Sequence, residues 1–191
     1  MAKNIGYNGN PRLRRAFIEV AMTQKQIDEY DRCRLDPVYF IKNYVKIIAL
    51  DKGIINFELY PFQEQMIEDF QDHRFVICKI PRQSGKTITT VAYMLWMILF
   101  NDNYNIAIVA HKGPAANGIL QRLKLAYENL PMWLQHGIIE WNKGNIEVEN
   151  GSKISAWATT ADGLRSGSYN MVLLDEFAFV QNNIAEAFFT S

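Results

Sequence analysis

The run Val91-Ala92-Tyr93-Met94-Leu95-Trp96-Met97-Ile98-Leu99-Phe100 is the longest unbroken apolar stretch in the chain. Together with Thr87-Ile88-Thr89-Thr90 it reads as a helix over residues 87–100, apolar nearly all round in its second half. Such a helix has no face to offer water, so other elements must enclose it. A bilayer cannot do this, because a membrane span needs about 20 apolar residues. The chain has 191 residues, 49% apolar and 21% charged. That is the composition of a folded domain with a core of its own.

Short apolar runs flank this helix. Residues 74–80 and 105–110 read as strands, and Met171-Val172-Leu173-Leu174 as a buried strand ending in Asp175-Glu176. Residues 61–72 read as a helix with Phe62, Met66, Ile67 and Phe70 on its inner face, and 114–129 as another. Strand, helix, strand, helix, strand predicts an α/β fold with a mainly parallel sheet flanked by helices. Residues 138–158 read as short strands turned at Asn142-Lys143-Gly144-Asn145 and Asn150-Gly151. Residues 47–59 read as a hairpin about Asp51-Lys52-Gly53. Three Asn, two Gly and a Pro in residues 1–11 predict a mobile arm. Residues 12–34 read as one or two helices, with Thr23 and Gln26 as a capping box. Asp36-Pro37 starts the next helix, in which Phe40, Ile41, Tyr44 and Val45 recur at helical spacing. The chain divides into an arm and small helical segment, 1–35, and a main domain, 36–191.

Net charge is zero, so no global field draws the chain to nucleic acid. Residues 1–50 carry nine Lys/Arg against five Asp/Glu, a net of +4; the remainder carries eleven against fifteen, a net of −4. Arg12, Arg14 and Arg15 belong to the basic excess and either meet phosphate or lie on a solvated helix face. The two cysteines, Cys33 and Cys78, make no disulfide framework. Cys78, inside Phe75-Val76-Ile77-Cys78, reads as a buried thiol in a reducing compartment. Met1-Ala2-Lys3-Asn4 opens no apolar signal segment.

The segment Ile80-Pro81-Arg82-Gln83-Ser84-Gly85-Lys86-Thr87 lies between an expected strand and an expected helix. That is the setting of a phosphate loop. Successive backbone N–H groups there curl around a β-phosphate, and the helix N-terminus adds positive potential. Gly85 permits the tight turn. Lys86 reaches the β- and γ-phosphates, and the Thr87 hydroxyl ligates Mg²⁺. The usual pattern begins with glycine, and here that position is Ile80. The acid pair supplies the other half of the chemistry. A buried strand delivers Asp175 to the carboxyl edge of the sheet, where it holds Mg²⁺. Glu176 polarises the attacking water.

These residues resemble a known family. Pro81-Arg82-Gln83-Ser84-Gly85-Lys86-Thr87 is similar to the phosphate loop of large terminase subunits, the DNA-packaging motors of tailed bacteriophages. That family also tends to lack the first glycine. Leu59-Tyr60-Pro61-Phe62-Gln63 resembles its adenine-recognition segment. Gly163-Leu164-Arg165-Ser166-Gly167 precedes Asp175-Glu176-Phe177-Ala178-Phe179 much as in terminases, and Asp36-Pro37-Val38-Tyr39-Phe40 also fits. The resemblance covers residues 23–190. It implies an ASCE-type, RecA-like P-loop NTPase that uses ATP and Mg²⁺ to drive double-stranded DNA into a procapsid. Gln63 would bond the adenine edge with Tyr60 or Phe62 nearby, although both rings read equally as core packing. Arg82 would act in cis on the γ-phosphate, and Arg165 would be a finger offered to a neighbouring subunit. His111-Lys112, on the ligand edge, can contact nucleotide or DNA or simply fill a loop. The implied partners are DNA, the portal protein, the small terminase subunit and further copies in a ring, in the cytoplasm of the infected host. A helicase-type translocase, and a fragment that binds nucleotide without turnover, share these motifs.

In the P-loop proteins that terminases resemble, the strand after the Asp-Glu strand inserts between it and the phosphate-loop strand. Here fifteen residues follow Glu176. The expected sheet is therefore incomplete at its C-terminal end, and no carboxylate cluster for a nuclease centre is found. Unpaired backbone and apolar faces at a missing central strand predict marginal stability and weak or absent ATP turnover. A cooperative thermal transition with normal turnover by the 191-residue chain would contradict this expectation.

Overall fold

The computed structural model describes residues 6–49, 51–159 and 167–176. Its centre is α4 (Lys86–Phe100), in which every residue from Thr89 to Leu99 is buried. The enclosing elements are α2 (Pro37–Tyr44), α3 (Pro61–Asp72), α5 (Gly113–Glu128) and one face of a five-stranded sheet. The sheet order is β6 (Ile138–Trp141), β7 (Asn145–Val148), β8 (Lys153–Ala158), β5 (Asn105–Ala110), β9 (Met171–Asp175). β5 runs parallel to β8 and β9, with Ala110 opposite both Ala158 and Asp175. β6, β7 and β8 pair antiparallel. The expected α/β class stands, but the sheet is mixed rather than mainly parallel. The reason is local: the turns 142–145 and 149–152 are too short for a crossover, so the strands they join must reverse.

The caps lie where polar side chains precede apolar runs. Thr23 caps α1 (Gln24–Leu35): its Oγ1 accepts the Gln26 N–H at 3.4 Å, and Gln26 Oε1 accepts the Thr23 N–H at 2.9 Å. Asp36 Oδ1 accepts the Tyr39 N–H at 2.8 Å, with Pro37 in the first turn of α2. Glu29 Oε1 joins these two helices by accepting the Tyr39 and Tyr44 hydroxyls at 2.7 and 2.8 Å. The Trp96 indole donates to the Cys33 carbonyl at 2.8 Å and fastens α1 to α4. The hairpin of β3 (Lys46–Ala49) and β4 (Gly53–Asn56) turns where expected and packs beside α5.

Four expectations fail. Residues 6–14 are not an arm without structure: β1 (Gly6–Tyr7) and β2 (Asn10–Arg14) pair about Asn8-Gly9, both at positive φ, 48° and 80°. Asn-Gly is a strong hairpin signal. Residues 12–23 are not helical. Gln135, 2% exposed, holds their backbone by donating to the Arg12 carbonyl at 2.9 Å and accepting the Arg14 N–H at 3.0 Å. Arg14 is spent inside the molecule, paired with Glu149 at 2.8 Å, whereas Arg12 and Arg15 are exposed. Phe62 is exposed, and Gln63 takes its place on the buried face of α3.

The fourth concerns residues 74–80. Among the described residues they join no strand, Phe75 is 84% and Ile77 95% exposed, and Cys78, expected to be buried, is only half-buried. Among the described residues β9 pairs with β5 alone, so its outer edge offers no strand to which this segment is bonded. Ile77→Ser is therefore expected to change stability by no more than about 0.5 kcal/mol. Ile108→Ala, in the doubly buried strand β5, should cost about 2–5 kcal/mol. Urea unfolding measures both, and equal costs would place residues 74–80 inside a packed sheet.

Candidate functional site

The glycine loop sits where α4 meets the carboxyl edge of the sheet. Gly85 is the N-cap residue of α4, at φ 83°, and no side chain caps the helix there. Among the described residues no side-chain acceptor is bonded to the first N–H groups of α4, which is the electrostatic setting that favours an anion. Gln83 also has positive φ, 62°, while Ser84 between them does not. Alternation of handedness along a loop turns successive N–H groups to one side and forms an anion-binding concavity. Ser84 Oγ donates to the Pro81 carbonyl at 2.7 Å and tightens the bend. Thr89 and Thr90 spend their hydroxyls on the carbonyls of Gly85 and Lys86, both at 3.0 Å. Thr87 is half-buried in the first turn, and Pro81 and Arg82 are exposed.

β9 brings Asp175 level with Ala110 at the end of the sheet, and Glu176 follows, exposed, at φ 52°. A positive φ is uncommon for a glutamate. The strand ends just before it, at Asp175. Burial raises the Asp175 carboxyl above its ordinary range, and the neighbouring Glu176 charge adds to this. Lys86 and Arg122 oppose the rise, as does the Glu176 backbone N–H. Lys86 and Asp175, 89 residues apart in sequence, therefore act on each other electrostatically. Arg122 was not singled out in the sequence. It is exposed on α5, which packs beside α4, β5 and β8, and its charge is felt at Asp175.

Tyr60 and Phe62 stand at the start of α3 with rings stacked at 5.9 Å and 8° between planes, 65% and 42% exposed. Neither is core. Gln63 is buried and already engaged at both ends of its amide. Its oxygen accepts the Tyr60 N–H at 2.9 Å, and its nitrogen donates to the Ser84 carbonyl at 3.3 Å. The expected adenine contact would have to share an amide bonded on two sides within the chain. Arg165 lies outside the described residues.

The donors suit magnesium with a phosphate ligand better than a metal held by protein alone. Among the described residues no group of three or more His, Cys, Asp or Glu could hold a metal ion. Mg²⁺ commonly takes one or two carboxylates and completes its shell from phosphate and water. Asp175, a partly desolvated acid, and the half-buried Thr87 hydroxyl fit that donor set. A family model described as "Terminase large subunit, T4likevirus-type, N-terminal" matches residues 77–188, more than half of the chain.

Because its carboxyl is raised, ionised Asp175 burdens the ligand-free fold. Stability is expected to fall as pH rises from the ordinary Asp value of 3.8 through the raised one, and to hold that loss above it. Asp175→Asn should therefore raise the thermal midpoint at neutral pH, and the gain should vanish below pH 3.8. Thermal melts of both proteins across pH measure this. A variant less stable at every pH would contradict the raised carboxyl.

Proposed function

We propose, from the premise that this chain belongs to the T4-like large terminase subunit family in its N-terminal part, that it is the ATP-binding and ATP-hydrolysing portion of a phage DNA-packaging motor. The fold in this reading is a P-loop NTPase of RecA-like type. The observation that carries it is the electrostatic meeting of Lys86 with the partly buried Asp175 beside an uncapped, glycine-opened helix N-terminus.

The roles follow from chemistry. In the loop 81–87 the backbone N–H groups of Arg82, Gln83, Ser84, Gly85, Lys86 and Thr87 receive phosphate oxygens, Pro81, which has no N–H, shapes the entry, and the Lys86 ammonium neutralises the phosphate charge. The Thr87 hydroxyl and the Asp175 carboxylate hold Mg²⁺, which supplies charge neutralisation at the transferred phosphoryl group. Glu176 accepts a proton from, or orients, the attacking water. Arg82, exposed inside the loop, supplies positive charge in cis, and Arg165 does so toward a neighbouring subunit. The stacked, exposed Tyr60 and Phe62 offer an apolar face for a base. Double-stranded DNA, the portal protein, the small terminase subunit and further copies in a ring are the partners in this proposal, in the host cytoplasm. No helix among the described residues is long and apolar enough to cross a membrane.

One observation favours binding without turnover as a second reading. Among the described residues the segment that feeds the loop, 74–80, is bonded to no strand, so no backbone pairing with the described strands ties its entry to Glu176. Two substitutions separate the steps. Lys86→Ala should weaken ATP binding by about 30-fold or more, the cost of removing a charge-paired partner. Glu176→Gln should leave affinity within about threefold and lower kcat by about 10²–10⁴. Equilibrium binding of a fluorescent ATP analogue and phosphate release measure the two. Equal loss of binding in both variants would refute the division of roles. Tight binding with no turnover in the unmutated chain would select the second reading.

A further inference from the structure

Gln63 is the point at which the glycine loop is tied to the body of the molecule. It is 2% exposed, in the first turn of α3. Its oxygen accepts the Tyr60 N–H and its nitrogen donates to the Ser84 carbonyl. A donor on one side and an acceptor on the other admit a single orientation of the amide. Flipped, its oxygen would face the Ser84 carbonyl. A Cβ built at Gly85 would lie 2.5 Å from Gln63 Nε2. The amide is thus packed against the one residue of the loop that lacks a side chain. Gly85 is required here twice over, by its φ of 83° and by this approach.

The consequence runs through the peptide bond. In a trans peptide the carbonyl and the following N–H point in opposite directions. Holding the Ser84 carbonyl toward α3 therefore turns the Gly85 N–H away from α3. That N–H is one of the donors on which a phosphate loop depends. Among the described residues no strand is bonded to residues 74–80, which enter the loop.

We propose that Gln63 is a positioning residue of the phosphate loop. It sets affinity for the triphosphate group through the Ser84–Gly85 peptide and does not read the base. The inference rests on the nucleotide-binding reading above and assigns Gln63 a role different from adenine recognition. A base reader changes discrimination between nucleotides, whereas a loop brace changes affinity for all of them alike.

The test uses the full chain and two variants. Gln63→Glu keeps the acceptor for the Tyr60 N–H and replaces the donor to Ser84 by an oxygen. Gln63→Met removes both hydrogen bonds without adding charge. Affinities for ATP, GTP and inorganic tripolyphosphate, each with Mg²⁺, are measured with amide hydrogen exchange of the ligand-free proteins. Both variants should weaken all three ligands by a common factor of about ten, the size of one neutral hydrogen bond. Exchange at Thr89, whose N–H donates to the Gly85 carbonyl at 3.0 Å, should rise in both, while in Gln63→Glu the interior of α3 stays as protected as in the unmutated chain. Loss confined to ATP, leaving GTP and tripolyphosphate unchanged, would overturn the proposal in favour of adenine recognition. Unchanged affinities, or unchanged exchange at Thr89, would also overturn it. If the unmutated chain binds none of the three ligands, the nucleotide-binding reading fails, and the exchange measurement still decides whether Gln63 braces the loop.

Discussion

Enclosure of α4 is the constraint on which the other elements depend. Eleven successive buried residues leave that helix no solvent face, so the fold is an arrangement of cover around it. The sheet takes one side, α5 the next, and α2 and α3 the rest. Its last carbonyls, which a helix end leaves without partners, are met from outside. Tyr30 donates to the Leu99 carbonyl at 3.3 Å, and His136 Nε2 lies 2.8 Å from the same oxygen. Asn150 donates to the Ile98 and Asn101 carbonyls at 3.0 and 3.1 Å. The C-terminal end is tied down on several sides. The N-terminal end, with no side-chain cap, is left available to a ligand.

That asymmetry places the chemistry. Packing makes the body of α4 rigid, so Lys86 and Thr87 on its first turn inherit a fixed position. β9 reaches the same rim because its register with β5 sets Asp175 opposite Ala110. The two halves then influence each other through charge. Burial disfavours the Asp175 carboxylate, and Lys86 and Arg122 partly restore it. A partly desolvated acid with two cations near it offers one side to a cation and the other to an anion, which a magnesium–polyphosphate pair would match.

The segment entering the loop shows the opposite condition. Residues 74–80 have the composition of a buried strand, yet Phe75 and Ile77 face solvent, and among the described residues no partner strand is bonded to them. An apolar run becomes a strand only when a neighbouring backbone completes its hydrogen bonds. Without that support, the conformation of the loop falls to local geometry: positive φ at Gln83 and Gly85, the Ser84 hydroxyl on Pro81, and the Gln63 amide.

Much of the local structure was legible in the residues. Thr23 with Gln26 and Asp36 with Pro37 announce helix starts because their side chains satisfy N–H groups within a few residues. Asn150-Gly151 and Asp51-Lys52-Gly53 announce turns for similarly local reasons. Gly85-Lys86-Thr87 before an all-apolar helix, and four apolar residues before Asp175-Glu176, locate both halves of the site. What failed depended on distant partners. Gln135 holds residues 12–14 in a strand from 121 residues away or more. Gln63 displaces Phe62 from the buried face because its amide finds Tyr60 and Ser84. Arg122 enters the site only through the packing of α5. The sequence alone determined where α1, α2 and α4 begin, where the chain turns at 51–53 and 150–151, and which residue types stand at the loop and the strand end, since those depend on neighbours along the chain. Only tertiary structure decided which strands pair, whether an apolar run is covered, and which charges meet, since those depend on neighbours in space.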